Sequence, residues 1–293
     1  MRMVIILTTL LITSCGSHKL NLSQKDKRDT FSDETFMRFG HNRLSQTNTK
    51  DVLNLALIEC YKGNFSKGLS SLKKNLNSNR DNQKYWLYLG NCYGLYGNSA
   101  KSNFYYDYAL SGNKVIQAAV LNNRALLAMK ANNFNEASDL LKKAIELAPN
   151  VKITKYNLAQ LYIKFNHTKA ARELLNPYVR QSQDKDLIFS MMSIELMEGN
   201  LKKASSWESK FEIQDYKRED IALYRALLFF ELKEYNKAKI ALGIQRPTVI
   251  KEINRATDVL KVQIENELNR IQNEKKKQDA KQAKGVKSVA YKN

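Results

Sequence analysis

The chain has 293 residues, 48 Lys and Arg against 29 Asp and Glu, and a formal net charge of +19. It contains only three histidines, His18, His41 and His167, far apart, and no glycine-rich phosphate loop. These features argue against a metal cluster, a nucleophile and base pair, or nucleotide chemistry, so no enzymatic activity, metal or cofactor is expected. Three prolines in the whole chain, and no strand-like alternation of apolar and polar residues, point to an all-α protein.

The opening MRMVIILTTLLITSCGS places a basic Arg2 before an apolar run from Met3 to Ile12 and then small polar residues ending at Cys15. This is the layout of a secretory signal, and the apolar run is too short to cross a bilayer as a stable helix. Ile12-Thr13-Ser14-Cys15 resembles the lipobox of bacterial lipoproteins, which implies a signal peptide over 1–14 and lipidation of Cys15. An ordinary cleaved signal, or a membrane anchor that happens to contain a cysteine, is the alternative. Gly16 follows the cysteine, and the sorting rule of enterobacterial lipoproteins then implies the outer membrane, facing the periplasm. Residues 15–48 are rich in Ser, Asn, Asp and Lys, with isolated apolar residues such as Phe31, Phe36 and Met37. They are expected to form a flexible tether with one short helix around Glu34 to Arg38.

From Thr49 the sequence repeats itself at steps of about 34 residues. The stretch NRALLAMKANNFNEASDLL at Asn123 returns as YRALLFFELKEYNKAKIAL at Tyr224, and six units start near Thr49, Gln83, Ala118, Lys152, Asp186 and Glu219. The eighth position of each is small: Ala56, Gly90, Ala125, Ala159, Ser193 and Ala226. So is the position near twenty: Gly68, Ser102, Ala137, Ala171, Ala204 and Ala238. Three residues before these stand Phe65, Ser99, Phe134, Thr168, Leu201 and Tyr235, and four after most of them an apolar residue, Leu72, Tyr106, Leu141, Leu175 or Leu242. Two antiparallel helices need this pattern, because small residues let them approach and large ones at helical spacing fill the space around. The breakers KGNF, YGNS, ANNF and EGNL mark turns between paired helices.

With Trp86, Leu89, Gly90 and Tyr93 in the second unit and Ala144 and Pro149 closing the third, the units resemble tetratricopeptide repeats. The resemblance covers residues 49–247 and implies an α-solenoid of about six helix-turn-helix repeats. Lys114 replaces the closing proline of unit two, and units five and six match less well, with unit five readable as a degenerate packing unit. Ile250, Ile253, Leu260, Ile264, Leu268 and Ile271 recur at helical spacing, so 248–278 is expected to form a capping helix, followed by a basic, disordered tail over 279–293.

The positive charge is uneven. Residues 49–182 hold 19 basic and 8 acidic side chains, 183–246 hold 11 of each, and 270–293 hold 8 and 2. Units one to four could present a positive surface to an acidic partner, to anionic lipid or to wall polymer, or the lysines could simply form a solvated face. Export removes nucleic acid as the expected partner.

In repeats of this kind the first helix of each unit lines a concave wall. Asn54, Asn123 and Asn157 fall at the sixth position, Asn91 and Gln160 at the ninth, and Lys130 and Lys164 at the thirteenth. Side-chain amides both donate and accept, which suits the backbone of an extended peptide. These residues and Tyr88, with Tyr93 and Tyr156 as further apolar-faced anchors, are the expected partner-binding groove. Leu87, Ile153 and Asn157 stand where the family's carboxylate clamp has basic residues, so a C-terminal carboxylate is not the expected ligand. Cys60 and Cys92 occupy the twelfth and tenth slots of neighbouring units and are expected to point apart as two small buried residues, with a disulfide in an oxidising periplasm as the alternative. The acids Asp184, Asp186, Glu219 and Asp220 read as ordinary helix starts.

The resemblance extends, through lipobox, repeats and length, to the tetratricopeptide lipoproteins of tight-adherence and type IV pilus systems. It implies an adaptor whose partners are periplasmic or outer-membrane proteins such as secretin or pilus components. Recruitment of peptidoglycan hydrolases is the second reading.

Overall fold

The computed structural model describes residues 36–39, 50–179, 182–244 and 251–290, with side chains as far as residue 281. The expected signal peptide, Cys15, Phe31 and most of the tether lie outside the described residues. Thirteen α-helices occur among them, and no strand. Twelve form six antiparallel pairs: α1 Val52–Tyr61 with α2 Phe65–Lys74, α3 Gln83–Leu95 with α4 Ser99–Ala109, and α5 Lys114–Lys130 with α6 Phe134–Leu147. The others are α7 Lys152–Lys164 with α8 Thr168–Val179, α9 Lys185–Met197 with α10 Leu201–Glu208, and α11 Glu219–Glu231 with α12 Tyr235–Ile244. The residue three before each second small position is the first residue of every second helix, from Phe65 to Tyr235.

Local signals set the helix ends. Asp51, Asn82, Asn98, Asn113 and Asp184 accept backbone N–H bonds at helix starts. Each turn within a pair carries one residue in the left-handed region, Gly63, Gly97, Asn132, Asn166, Gly199 or Lys233, which reverses the chain in the same way six times. Packing follows the two small positions, all of which are buried. At Gly90 a Cβ would stand 2.3 Å from the Tyr106 ring, so glycine there is what admits the tyrosine between α3 and α4. Leu72, Leu141 and Leu175 are fully buried beside these approaches, each contributing roughly 1.5–3 kcal/mol of burial. The fifth pair is a true helix pair with a second helix of only 8 residues. Below it a 3₁₀ turn, Asp215–Lys217, brings Asp215 to 3.1 Å from the Lys185 ammonium.

Three expectations are corrected. Cys60 on α1 and Cys92 on α3 form a disulfide, with Cα atoms 5.4 Å apart. Their slots differ by two residues, about 200° on a helix, and two neighbouring parallel helices need this opposition for side chains to meet. Phe36–Phe39 is not helical and Phe36 and Met37 are buried, so this part of the tether is built into the body. The last helix, α13 Lys251–Ala290, runs on for 40 residues where a disordered tail is expected from 279. Its front packs Leu260 and Ile264 against Ala238 and Leu242 of the last repeat, whereas residues 271–281 are exposed on all sides. Ile250 lies outside the described residues.

Closing the 32-residue separation between Cys60 and Cys92 is worth about 3–4 kcal/mol through the unfolded state. Replacing both cysteines by alanine should lower the stability of the first two repeats by that order in denaturant unfolding. The reduced native chain should behave in the same way.

Candidate peptide-binding groove

The first helices of the repeats carry a ladder of amides. Asn91 on α3, Asn122 and Asn123 on α5, and Asn157 on α7 are all fully buried. Asn91 Oδ1 accepts from Asn123 Nδ2 at 2.6 Å and from the Tyr106 hydroxyl at 2.9 Å. Asn122 Nδ2 donates to Asn123 Oδ1 at 2.9 Å, and Asn157 Nδ2 to Asn122 Oδ1 at 2.8 Å. A buried amide without partners would cost about 1–3 kcal/mol per group, and here the amides hold one another in fixed orientations.

The remaining capacity of the ladder goes to the main chain of Phe36–Phe39. The Met37 N–H donates to Asn123 Oδ1 at 2.7 Å, and the Met37 carbonyl accepts from Asn122 Nδ2 at 2.8 Å and Asn157 Nδ2 at 2.9 Å. The Phe39 N–H donates to Asn157 Oδ1 at 2.8 Å. Asn157 thus grips a carbonyl and the N–H two residues later with the two ends of one amide, between the bends at Phe36 and Phe39. These bonds ask nothing of side-chain identity.

Identity is read at the side chains: Phe36 is buried in the apolar cluster that holds Tyr88 and Tyr106. The Met37 sulfur lies 3.6 Å from the Tyr106 hydroxyl in a buried site. The Arg38 guanidinium lies 4.2 Å over the Tyr156 ring and pairs bidentately with Asp184, at 2.8 and 3.1 Å, with Asp186 at 3.5 Å. A planar, stacked and forked contact of this kind suits arginine better than lysine. Burial by itself would raise the Asp184 carboxyl, but Arg38 and the backbone N–H groups of Asp186 and Leu187 hold it below the usual carboxylate range. Burial pushes the Tyr156 hydroxyl up, and so does Asp186, keeping it protonated under Arg38. Asp186 also takes Arg218 at 2.6 Å, and Arg218 in turn holds Asp220 at 2.8 Å. Beyond Phe39 the groove opens into a cavity of about 500 Å³ lined in part by Tyr156, Gln160, Ile163, Phe189 and Leu223.

The expected groove residues divide. Asn123 and Asn157 touch the segment directly, and Asn91 sets Asn123. Asn54 accepts from the Tyr88 hydroxyl at 2.6 Å, and Tyr88 is fully buried in the same apolar cluster as Phe36. Gln160 donates to Ser190 at 2.8 Å on the wall of the cavity. Lys164 lines the same cavity, its ammonium 5.1 Å from the Phe134 ring centroid. The Lys130 ammonium is 4.0 Å from where a Cβ on Gly97 would lie, at the α3–α4 turn, away from the segment. Tyr93 stacks on Tyr105 at 5.4 Å, a second-helix residue, while Tyr156 carries Arg38. Sequence reasoning missed Asn122, Tyr106, Asp184 and Asp186 as ligands of the segment. The signal for it was FMRF, an apolar and basic run inside a polar stretch. Among the described residues, no cluster of histidine, cysteine and carboxylate could hold a metal, and no helix is long and apolar enough to cross a membrane.

If the amide ladder and the acid pair hold the segment, Asn157→Ala and Asp184→Asn should each release it. Limited trypsin digestion reads this directly, because cleavage after Arg38 needs that stretch free. Cutting there should accelerate at least tenfold in either variant while the helical repeats stay intact.

A family model for the tetratricopeptide repeat matches residues 128–193. No curated protein sequence matches the chain. Among solved structures, PilF of Pseudomonas aeruginosa is 18% identical, with a TM-score of 0.55 over 65% of this chain and 87% of its own. PilW, a widely conserved type IV pilus biogenesis factor, is 19% identical, with a TM-score of 0.54 over 67% of this chain and 92% of its own. A tetratricopeptide repeat protein from Parabacteroides merdae is 18% identical, with a TM-score of 0.52 over 73% and 84%. The thirteen helices and these likenesses together give the chain the all-α, solenoid fold of tetratricopeptide-repeat proteins.

Proposed function

We propose that the protein is a non-enzymatic adaptor that binds protein partners through the amide-lined groove and assists assembly of a pilus or secretion complex, with secretin or pilus components as its partners. In this reading it is held at the periplasmic face of the outer membrane by a lipid on Cys15. The observation that carries the proposal is the hydrogen bonding of Asn122, Asn123 and Asn157 to the main chain of Phe36–Phe39, the chemistry by which an extended polypeptide is held irrespective of its sequence. The likeness to PilF and PilW favours a pilus or secretion machine as the setting. The Cys60–Cys92 disulfide favours an oxidising compartment outside the cytoplasm.

Two experiments test this. A photo-crosslinking residue at Lys164, on the rim of the cavity, should capture a secretin or pilus component in living cells. Capture of a wall hydrolase would move the protein to the scaffold class. Cys15→Ser should leave a folded protein in the soluble fraction, and retention on the membrane after a high-salt wash would overturn the lipid anchor.

A further inference from the structure

Phe36–Phe39 stands apart from the repeats it contacts. Its hydrogen-bond partners lie 69 to 146 residues further along the chain, and only ten residues, 40–49, separate Phe39 from Lys50 at the start of the array. The segment occupies the site that would hold a ligand, on contacts of two kinds: main-chain bonds open to any peptide of that backbone shape, and side-chain sites for Phe36, Met37 and Arg38. That arginine site is unusual in a chain of net charge +19, whose long-range field repels cations. Asp184 nevertheless pairs bidentately with the Arg38 guanidinium over the face of Tyr156, joined by Asp186, which also holds Arg218. The groove also continues past Phe39, which is 43% exposed, into the cavity of about 500 Å³ on whose wall that ring lies.

We propose that the groove is a receptor for an extended peptide in which a long unbranched apolar residue is followed by arginine, and that Phe36–Phe39 is a built-in competitor that a partner's segment must displace. This rests on the groove being the partner-binding site and adds what the partner must present. Tethering over so few residues gives an effective concentration of the order of millimolar. A free peptide of micromolar affinity therefore meets an occupied groove. Selectivity follows from that competition: a partner that offers only backbone cannot evict the segment, whereas one that also supplies the apolar residue and the arginine can.

The test uses the full chain and a fluorescein-labelled peptide of the sequence from Asp33 to Gly40, followed by anisotropy. Met37→Asp with Arg38→Glu should free the groove, and this variant should bind the labelled peptide at least tenfold more tightly than the native chain. Adding Asn157→Ala and Asp184→Asn should abolish that binding, as should glutamate in place of arginine in the peptide. Equal binding to the native and freed chains, or binding indifferent to the arginine, would overturn the proposal. Arg38→Glu alone is the milder variant; if it too fails to fold, the segment is a structural plug and the proposal is wrong. A native chain that is a dimer, and becomes a monomer with Arg38→Glu, would give the groove to a second copy and also overturn it. Failure in any of these leaves in-cell crosslinking at Lys164 unaffected, so the two readings are tested separately.

Discussion

Paired helices in this chain must come closer than most side chains allow, and the small residues at two positions of each repeat meet that demand. The consequence reaches beyond packing. Where Gly90 leaves out a Cβ, the Tyr106 ring enters, and its hydroxyl arrives at Asn91 in the floor of the groove. Asn91 fixes Asn123, and Asn123 takes the Met37 N–H. A glycine chosen by helix approach therefore sets the orientation of an amide two steps away.

The floor of the groove is polar yet buried. Four fully buried asparagines would be a liability on an apolar wall, since each amide brings two donors and an acceptor that must be matched. They resolve it partly among themselves and partly on a passing backbone. Networks of this kind are strong when complete and weak when half-satisfied, so the groove favours being filled. This links the stability of the fourth and third repeats to occupancy of their concave face, and makes occupancy by the chain's own segment a physical consequence of the wall it lies on.

Charge is arranged in the same spirit. The acids and bases of the last two repeats are engaged in pairs such as Lys185 with Asp215, Arg218 with Asp186 and Asp220, and Arg225 with Glu208, and Glu195 pairs with Arg172 of the fourth repeat. Half-buried pairs of this sort owe more to their geometry and hydrogen bonds than to bare attraction. Among them Asp184 and Asp186 face the groove, where Asp184 meets Arg38 and Asp186 is shared between Arg38 and Arg218.

Much of this was legible in the sequence because it is periodic and local. The 34-residue step, the two small positions, the first residue of each second helix and the turn breakers all repeat within a few turns of helix, where a side chain's neighbours are fixed by spacing alone. Asn123 and Asn157 were visible for the same reason, as one position of the unit. Asn122 was not, because whether its neighbour in sequence also reaches the wall depends on how far α5 is rotated. The Cys60–Cys92 bridge turned on the relative placing of two helices, where slots that look opposed on one wheel become facing on two. Asp184 and Asp186 read as helix-start acids, and Asp184 does cap α9, but its second role needs Arg38 from 146 residues away. Sequence by itself determined the repeating scaffold, since helical period and close approach are short-range. Only the tertiary structure decided what fills the groove, because that contact joins distant parts of the chain through backbone atoms that carry no sequence signature.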